Sequence, residues 1–230
     1  MEVSELLTIN FAHTRMILLT LVAGVAGLVW YLHRKNEWMH DIPPMPLNEA
    51  VRRARTGDLV LFRWRNVGPA QDAFVSFTHV GMVYERDGAK HILETHEAGD
   101  TKHMGHESGG VHVYPMRDRV AMYNGSVCFL RLHPSLYSAA LPDLIGSQQA
   151  KYAGIPFNSS FRSYYAWHCL LGAPASDPPG KFCSQFVGLV LRDLGILPAS
   201  ADIQCLAPDS FLCLRVSGKP LYTELYRLKN

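Results

Sequence analysis

Between Met16 and Leu32 the chain reads MILLTLVAGVAGLVWYL, without a charged residue, bounded by Arg15 and by His33-Arg34-Lys35. A run of this kind has few places to go. At 1.5 Å per residue, a helix over it is about 25 Å long, the short end of what crosses a bilayer. Trp30 and Tyr31 stand at its end, where amphipathic aromatics settle at a lipid–water boundary. A cleaved leader fits poorly, because the residues ahead of the run include Glu2 and Glu5. A buried core helix fits poorly too, because the run is apolar on every side and leads into prolines. The expectation is a short tail at 1–15 and a transmembrane anchor at 16–32. Arg34 and Lys35 follow the run, with Arg52, Arg53 and Arg55 further on, so the positive-inside rule puts the remainder in the cytosol.

Next comes DIPPMPLNEA (41–50), whose three prolines fix φ and withhold N–H groups. It reads as a stiff extended spacer within a linker at 33–49, followed by one domain at 50–230. Apolar residues make up 48% of the 230-residue chain and charged residues 18%, enough apolar content for a sizeable core. The net charge of +2 gives no argument for a nucleic-acid partner. Five cysteines (128, 169, 183, 205 and 213) form no CxxC pair or regular framework. They read as reduced thiols on the cytosolic side, with Cys128, Cys169, Cys205 and Cys213 in apolar surroundings as core material.

The domain opens with strands. GDLVLFRW (57–64) is a turn dipeptide followed by a β-rich run. THVGMVYER (78–86) ends at Asp87-Gly88 and KHILETH (90–96) resumes at once, a hairpin signature. GVHVYP (110–115) and SVCFLRL (126–132) read as two more strands. Helical periodicity takes over at 138–154 and 182–195, a loop follows at 197–211, and the last twenty residues return as one or two strands. Strands first and helices second argue for an α+β domain with an antiparallel sheet packed on helices.

Phe186, Val187, Val190, Leu191 and Leu194 form one apolar face, and Cys183 lies in the first turn of that helix. A thiol there meets the positive end of the helix dipole and unpaired backbone N–H groups, both of which favour thiolate. Taken alone, such a cysteine is more often a buried, inert residue. A nucleophile also needs a base, and His79 opens a strand with Gly81 leaving room beside it. A third group must orient the ring. If the hairpin turns at Asp87-Gly88, Glu94 falls nearly opposite residues 79–81, with His96 and Glu97 as nearby competitors. His103 and His106, in the polar stretch 95–110, belong to no Cys or His set able to complete a tetrahedral zinc site, so no metal is expected. The aromatic stretch 161–171 reads as packing.

GDLVLF, THVGMVY, HILET and FCSQFVGLVLRDLGIL, in that order, resemble the circularly permuted branch of the NlpC-type papain-like thiol hydrolases. In that branch the histidine and its polar partner precede the cysteine. AKYAGIPFNSSF (150–161) is similar to the helix and turn ahead of the family's cysteine helix, and CLAPDSF (205–211) to the P-x-x-F element after it. The resemblance covers nearly all of the chain after the linker. Relatives of lecithin retinol acyltransferase follow the cysteine with an acidic residue and use a second histidine as the third group. CSQFV and Glu94 depart from that pattern and are more similar to bacterial and large-DNA-virus members with a His-Glu-Cys set.

The resemblance implies a permuted papain-like fold and a cysteine hydrolase without a cofactor. Cys183 would attack a carbonyl, His79 would act as base and then acid, and Glu94 would hold the ring. The substrate class is an amide, ester or thioester, and the tether suits a lipid or lipid-modified protein. Acyl transfer by the same fold is the first alternative. A non-enzymatic membrane or virion protein reusing the fold is the second, opposed by the intact set of three residues.

Overall fold

The computed structural model describes residues 22–24, 27, 38–65, 76–98, 108–158, 169 and 180–229. Two compact units divide the chain, Met1–Ile42 and Pro43–Asn230. In the first, residues 22–24, 27 and 38–41 are helical. Most of the apolar run expected to span a membrane lies outside the described residues. Among those described, no helix is long and apolar enough to cross one.

The second unit is a seven-stranded sheet packed against helices. In chain order its elements are β1 (Pro44–Pro46), α1 (Leu47–Arg53), β2 (Leu59–Trp64), β3 (His79–Arg86), β4 (Ala89–His96), β5 (Gly110–Pro115), α2 (Met116–Ala121) and β6 (Gly125–Leu132). There follow α3 (Leu141–Tyr152), α4 (Cys183–Asp193), the small pair β7 (Arg215–Val216) and β8 (Lys219–Pro220), and β9 (Tyr222–Lys229). The sheet runs β1-β9-β6-β2-β3-β4-β5. All its neighbours are antiparallel except β1 and β9.

The Asp87-Gly88 turn sets the register on which the site depends. Both residues have positive φ, 53° and 75°, and Arg86 pairs with Ala89, so a two-residue turn of the kind that matches strand twist joins β3 to β4. Leu59 to Phe62 are all buried, as expected of a strand covered on both faces. One face carries Val60, Phe62, Val83, Ile92, Val127 and Phe129, which form a core with Ala50 of α1 and Met116 and Val120 of α2. Tyr84 alternates with Val83 and so points the other way. A Cβ on Gly146 of α3 would stand 2.7 Å from its hydroxyl, which puts α3 on that second face. Tyr152 of α3 meets Phe186 of α4 edge-on at 6.1 Å, and α4 packs against β3 and β4.

Two expectations change here. The proline stretch is no spacer over its full length: Pro44–Pro46 forms β1, parallel to β9, and α1 follows at once. The compact unit thus begins at Pro43, not near Ala50, and the sheet is not wholly antiparallel. An edge strand tolerates prolines because one row of its N–H groups has no partner to lose. Met45, 2% exposed and in the core, is the reason the strand stays. The second change concerns the thiols. Cys169 and Cys205 form a disulfide, while Cys128 is free and buried and Cys213 is free and exposed. Partners 36 residues apart meet only in the folded chain, so spacing gave no sign of them. Disulfides persist in oxidising compartments, which removes the cysteine argument for a cytosolic location.

If Pro44–Pro46 belongs to the sheet, Met45→Ala empties a core site and costs about 2–5 kcal/mol in urea unfolding. A spacer residue would show a change near zero.

Candidate active site

The site forms where β3 begins. Asp209 holds the lead-in: its carboxylate accepts from the backbone N–H groups of Ser76 (2.5 Å) and Phe77 (2.9 Å). Thr78 is fastened to β2, its N–H and hydroxyl both donating to the Phe62 carbonyl, at 2.8 and 3.2 Å. His79 is then paired with Phe62, whose ring lies 5.4 Å from the imidazole.

On its other side β3 follows β4 only as far as Met82↔Leu93, although β3 runs back to His79 and β4 on to His96. Glu94 lies beyond that last pair and is matched with His112 of β5. Its carboxylate crosses to β3 over Gly81. A Cβ on Gly81 would stand 2.4 Å from Ile92 Cγ2 and 3.2 Å from Glu94 Oε2, so the crossing requires a residue without a side chain. Glu94 Oε2 reaches His79 Nε2 at 2.8 Å. Its other oxygen accepts from Arg119 Nε at 2.6 Å.

Cys183 is the first residue of α4 and is 7% exposed. Its side chain lies close enough to the His79 imidazole to raise the ring's pKa. Glu94 occupies Nε2, which leaves Nδ1 for the sulfur. The first turn of α4 is itself clamped, since the Ser184 hydroxyl donates to the Leu206 carbonyl. The Gln185 amide donates to the backbone and side-chain oxygens of Gln204 at 3.0 and 2.9 Å. The structure therefore brings the three residues singled out in the sequence into one contiguous buried row.

Burial opposes charge on both His79 and Glu94, and pairing overrides it on both. For His79, the Glu94 carboxylate and then Cys183 raise the pKa well above the ordinary imidazole range. For Glu94, His79 and then Arg119 hold the carboxyl well below the usual carboxylate range. The pair is accordingly charged at neutral pH. Because the His79 pKa is raised, its contribution to stability is complete below the ordinary imidazole pKa and fades as pH climbs through the raised value. The Glu94 contribution is complete above the ordinary carboxylate pKa and fades as pH drops through the lowered one.

Neither competitor takes the third position. His96 Nε2 bonds the Tyr114 hydroxyl at 2.5 Å, Nδ1 faces the Glu97 carbonyl at 2.8 Å, and the ring stacks on His112 at 4.7 Å. Burial lowers its pKa, which keeps it neutral. Glu97 is exposed. His103 and His106 lie outside the described residues, as do nearly all of 161–171 and most of the loop at 64–77. Among the described residues no group of three His, Cys, Asp or Glu side chains is placed to hold a metal.

Arg119 was not singled out from the sequence. It comes from α2, is 4% exposed, and stacks its guanidinium over Phe62 (4.7 Å) and Tyr123 (5.4 Å). A signal was present in the helical period, because Arg119 falls three residues after Met116 and beside Val120, both in the core.

No protein-family model and no curated protein matches the chain. Among solved structures, the crystal structure of the metalloprotein yiiX from Escherichia coli O157:H7 is similar, with 18% identity and a TM-score of 0.44. The match covers 76% of this chain and 88% of that one. A likeness at this level leaves the reading to the site itself.

Two outcomes follow from the charged row. Histidine-ring NMR finds His79 still protonated at a pH where an ordinary histidine is neutral, and Glu94→Gln returns its titration toward the ordinary range. Arg119→Met leaves Glu94 with one partner in a buried position and costs about 3–5 kcal/mol. It also shifts the acid limb of the stability curve to higher pH, read from urea unfolding across a pH series.

Proposed function

We propose that Pro43–Asn230 is a cysteine hydrolase domain of the permuted papain-like kind, acting on an amide, ester or thioester. The observation that carries this reading is the row Cys183–His79–Glu94, with the thiol at a helix start and the ring held by a buried carboxylate.

The chemistry runs in two halves. The thiolate attacks the carbonyl carbon, a C–S bond forms, and the carbonyl π pair moves onto oxygen. Backbone N–H groups at the start of α4, that of Cys183 among them, receive this oxyanion. Collapse of the intermediate expels the leaving group, which takes the proton from His79 Nδ1, and a thioester remains on Cys183. Water then gives its proton to the now-neutral His79 and attacks the thioester, releasing the acid and restoring the thiolate–imidazolium pair. Throughout, Glu94 holds Nε2–H and keeps the ring in the tautomer that leaves Nδ1 for the chemistry.

The apolar run at 16–32 supports tethering to a membrane, which suits a lipid or lipid-modified protein as substrate. A second acceptor in place of water turns the same thioester into an acyl-transfer intermediate. Incubation with an activated acyl ester adds one acyl mass to the Cys183 peptide, and Cys183→Ala abolishes both the adduct and turnover. His79→Ala lowers turnover about 10²–10⁴-fold. Undiminished turnover in Cys183→Ala would falsify the reading.

A further inference from the structure

The sheet face under α1 changes character at one level. Val83, Ile92 and Phe129 belong to the core. Two residues onward on the same face of each strand stand Glu85, Lys90 and Arg131. Arg52 and Arg53 at the end of α1, and Arg55 just past it, meet them around a pocket of about 410 Å³. Five cations thus line a hollow whose only lining carboxylate, among the described residues, is Glu85.

Local pairing accounts for part of this charge. Lys90 is bonded to Glu85 across the hairpin. Arg53 and Arg131 share Glu224 at 3.6 and 3.4 Å, and Arg53 also reaches Glu49 at 3.4 Å. The guanidinium groups of Arg52 and Arg55 have no carboxylate partner among the described residues, although the Arg55 backbone N–H donates to Asp58 at 2.8 Å. Arg131 Nε is buried with no hydrogen-bond partner. Two guanidinium planes are held in place, Arg53 over Tyr226 at 5.2 Å and Arg55 over Tyr137 at 5.0 Å. Stacking of this kind fixes the plane while leaving N–H donors at its edge, so less freedom is lost when an anion binds.

We propose that this pocket binds a terminal phosphate group, carried by a soluble phosphomonoester or by a lipid headgroup. Several forked donors converging from a helix end and two strand pairs suit a tetrahedral anion of more than one charge. A carboxylate would occupy a single fork. Glu85 is six residues along β3 from His79, about 20 Å at strand rise, so the pocket is separate from the thiol. The inference is independent of the role of Cys183.

The test uses the full chain and arginine modification by phenylglyoxal, mapped by mass spectrometry. The probes are inorganic pyrophosphate, phosphatidylcholine vesicles, and phosphatidylcholine vesicles with phosphatidic acid as the minor component. Protection of Arg52 and Arg55 by pyrophosphate supports a soluble ligand. Protection only by the phosphatidic-acid vesicles supports a headgroup. In the double variant Arg52→Gln, Arg55→Gln, calorimetric affinity for pyrophosphate, or for the phosphatidic-acid vesicles where only they protect, falls at least about tenfold. Alkylation of Cys183 by iodoacetamide is unchanged in that variant. The proposal is overturned if neither pyrophosphate nor the phosphatidic-acid vesicles protect, if acetate protects as well, or if the double variant keeps full affinity.

Discussion

A carboxylate without solvent is the constraint on which the thiol site depends. Glu94 has 0% exposure, and burial of that degree would by itself keep a carboxyl protonated. It stays charged because cations approach both oxygens, His79 at one and Arg119 at the other. Each partner comes from a different element, so β3, β4 and α2 must arrive together for any of the three charges to be tolerated. Along the row the signs alternate, from guanidinium to carboxylate to imidazolium. On the proposed reading a thiolate closes the series at Cys183. Glu94 therefore does more than aim a ring, because it is the reason the ring carries a proton.

The parts of this arrangement legible in the sequence are those set by short-range chemistry. Asp87-Gly88 admits positive φ at two successive positions, which fixes the turn, and the turn fixes which residues of β3 and β4 share a face. From that register His79 and Glu94 could be matched before any fold was known. Cys183 at the mouth of an apolar helix was legible for the same local reason. What escaped was set by contacts distant in sequence. Pro44–Pro46 reads as spacer because its prolines obey local rules, and only β9, at the far end of the chain, turns it into a strand. Cys169 and Cys205 carry no spacing signal, and the Glu94 and Phe62 side chains that Arg119 meets lie far off in sequence on β4 and β2. The span expected at 16–32 is a local reading of the same kind, and its residues lie mostly outside those described.

The disulfide bears on the site through the loop that carries Cys205. Gln204 and Leu206, its two neighbours, receive the hydrogen bonds that anchor the first turn of α4. Closing a loop of 36 residues in the unfolded chain is worth about 4 kcal/mol on the chain-entropy view. Part of the stability of that clamp therefore depends on an oxidised pair that is not part of the row.

Charge is handled in opposite ways at the two ends of β3. At His79 every ionised group is buried and opposed, so the ensemble is rigid and its protonation is set by neighbours rather than by solvent. At Glu85 cations outnumber carboxylates, and Arg52 and Arg55 stand at the surface, where water screens their repulsion. Such a surplus gains nothing for the fold. It is tolerable because the pocket is open, and for the same reason a multivalent anion can reach it. The sheet links the two by alternation alone: on β3, the side-chain positions that hold His79, Gly81 and Val83 at one end deliver Glu85 to the other.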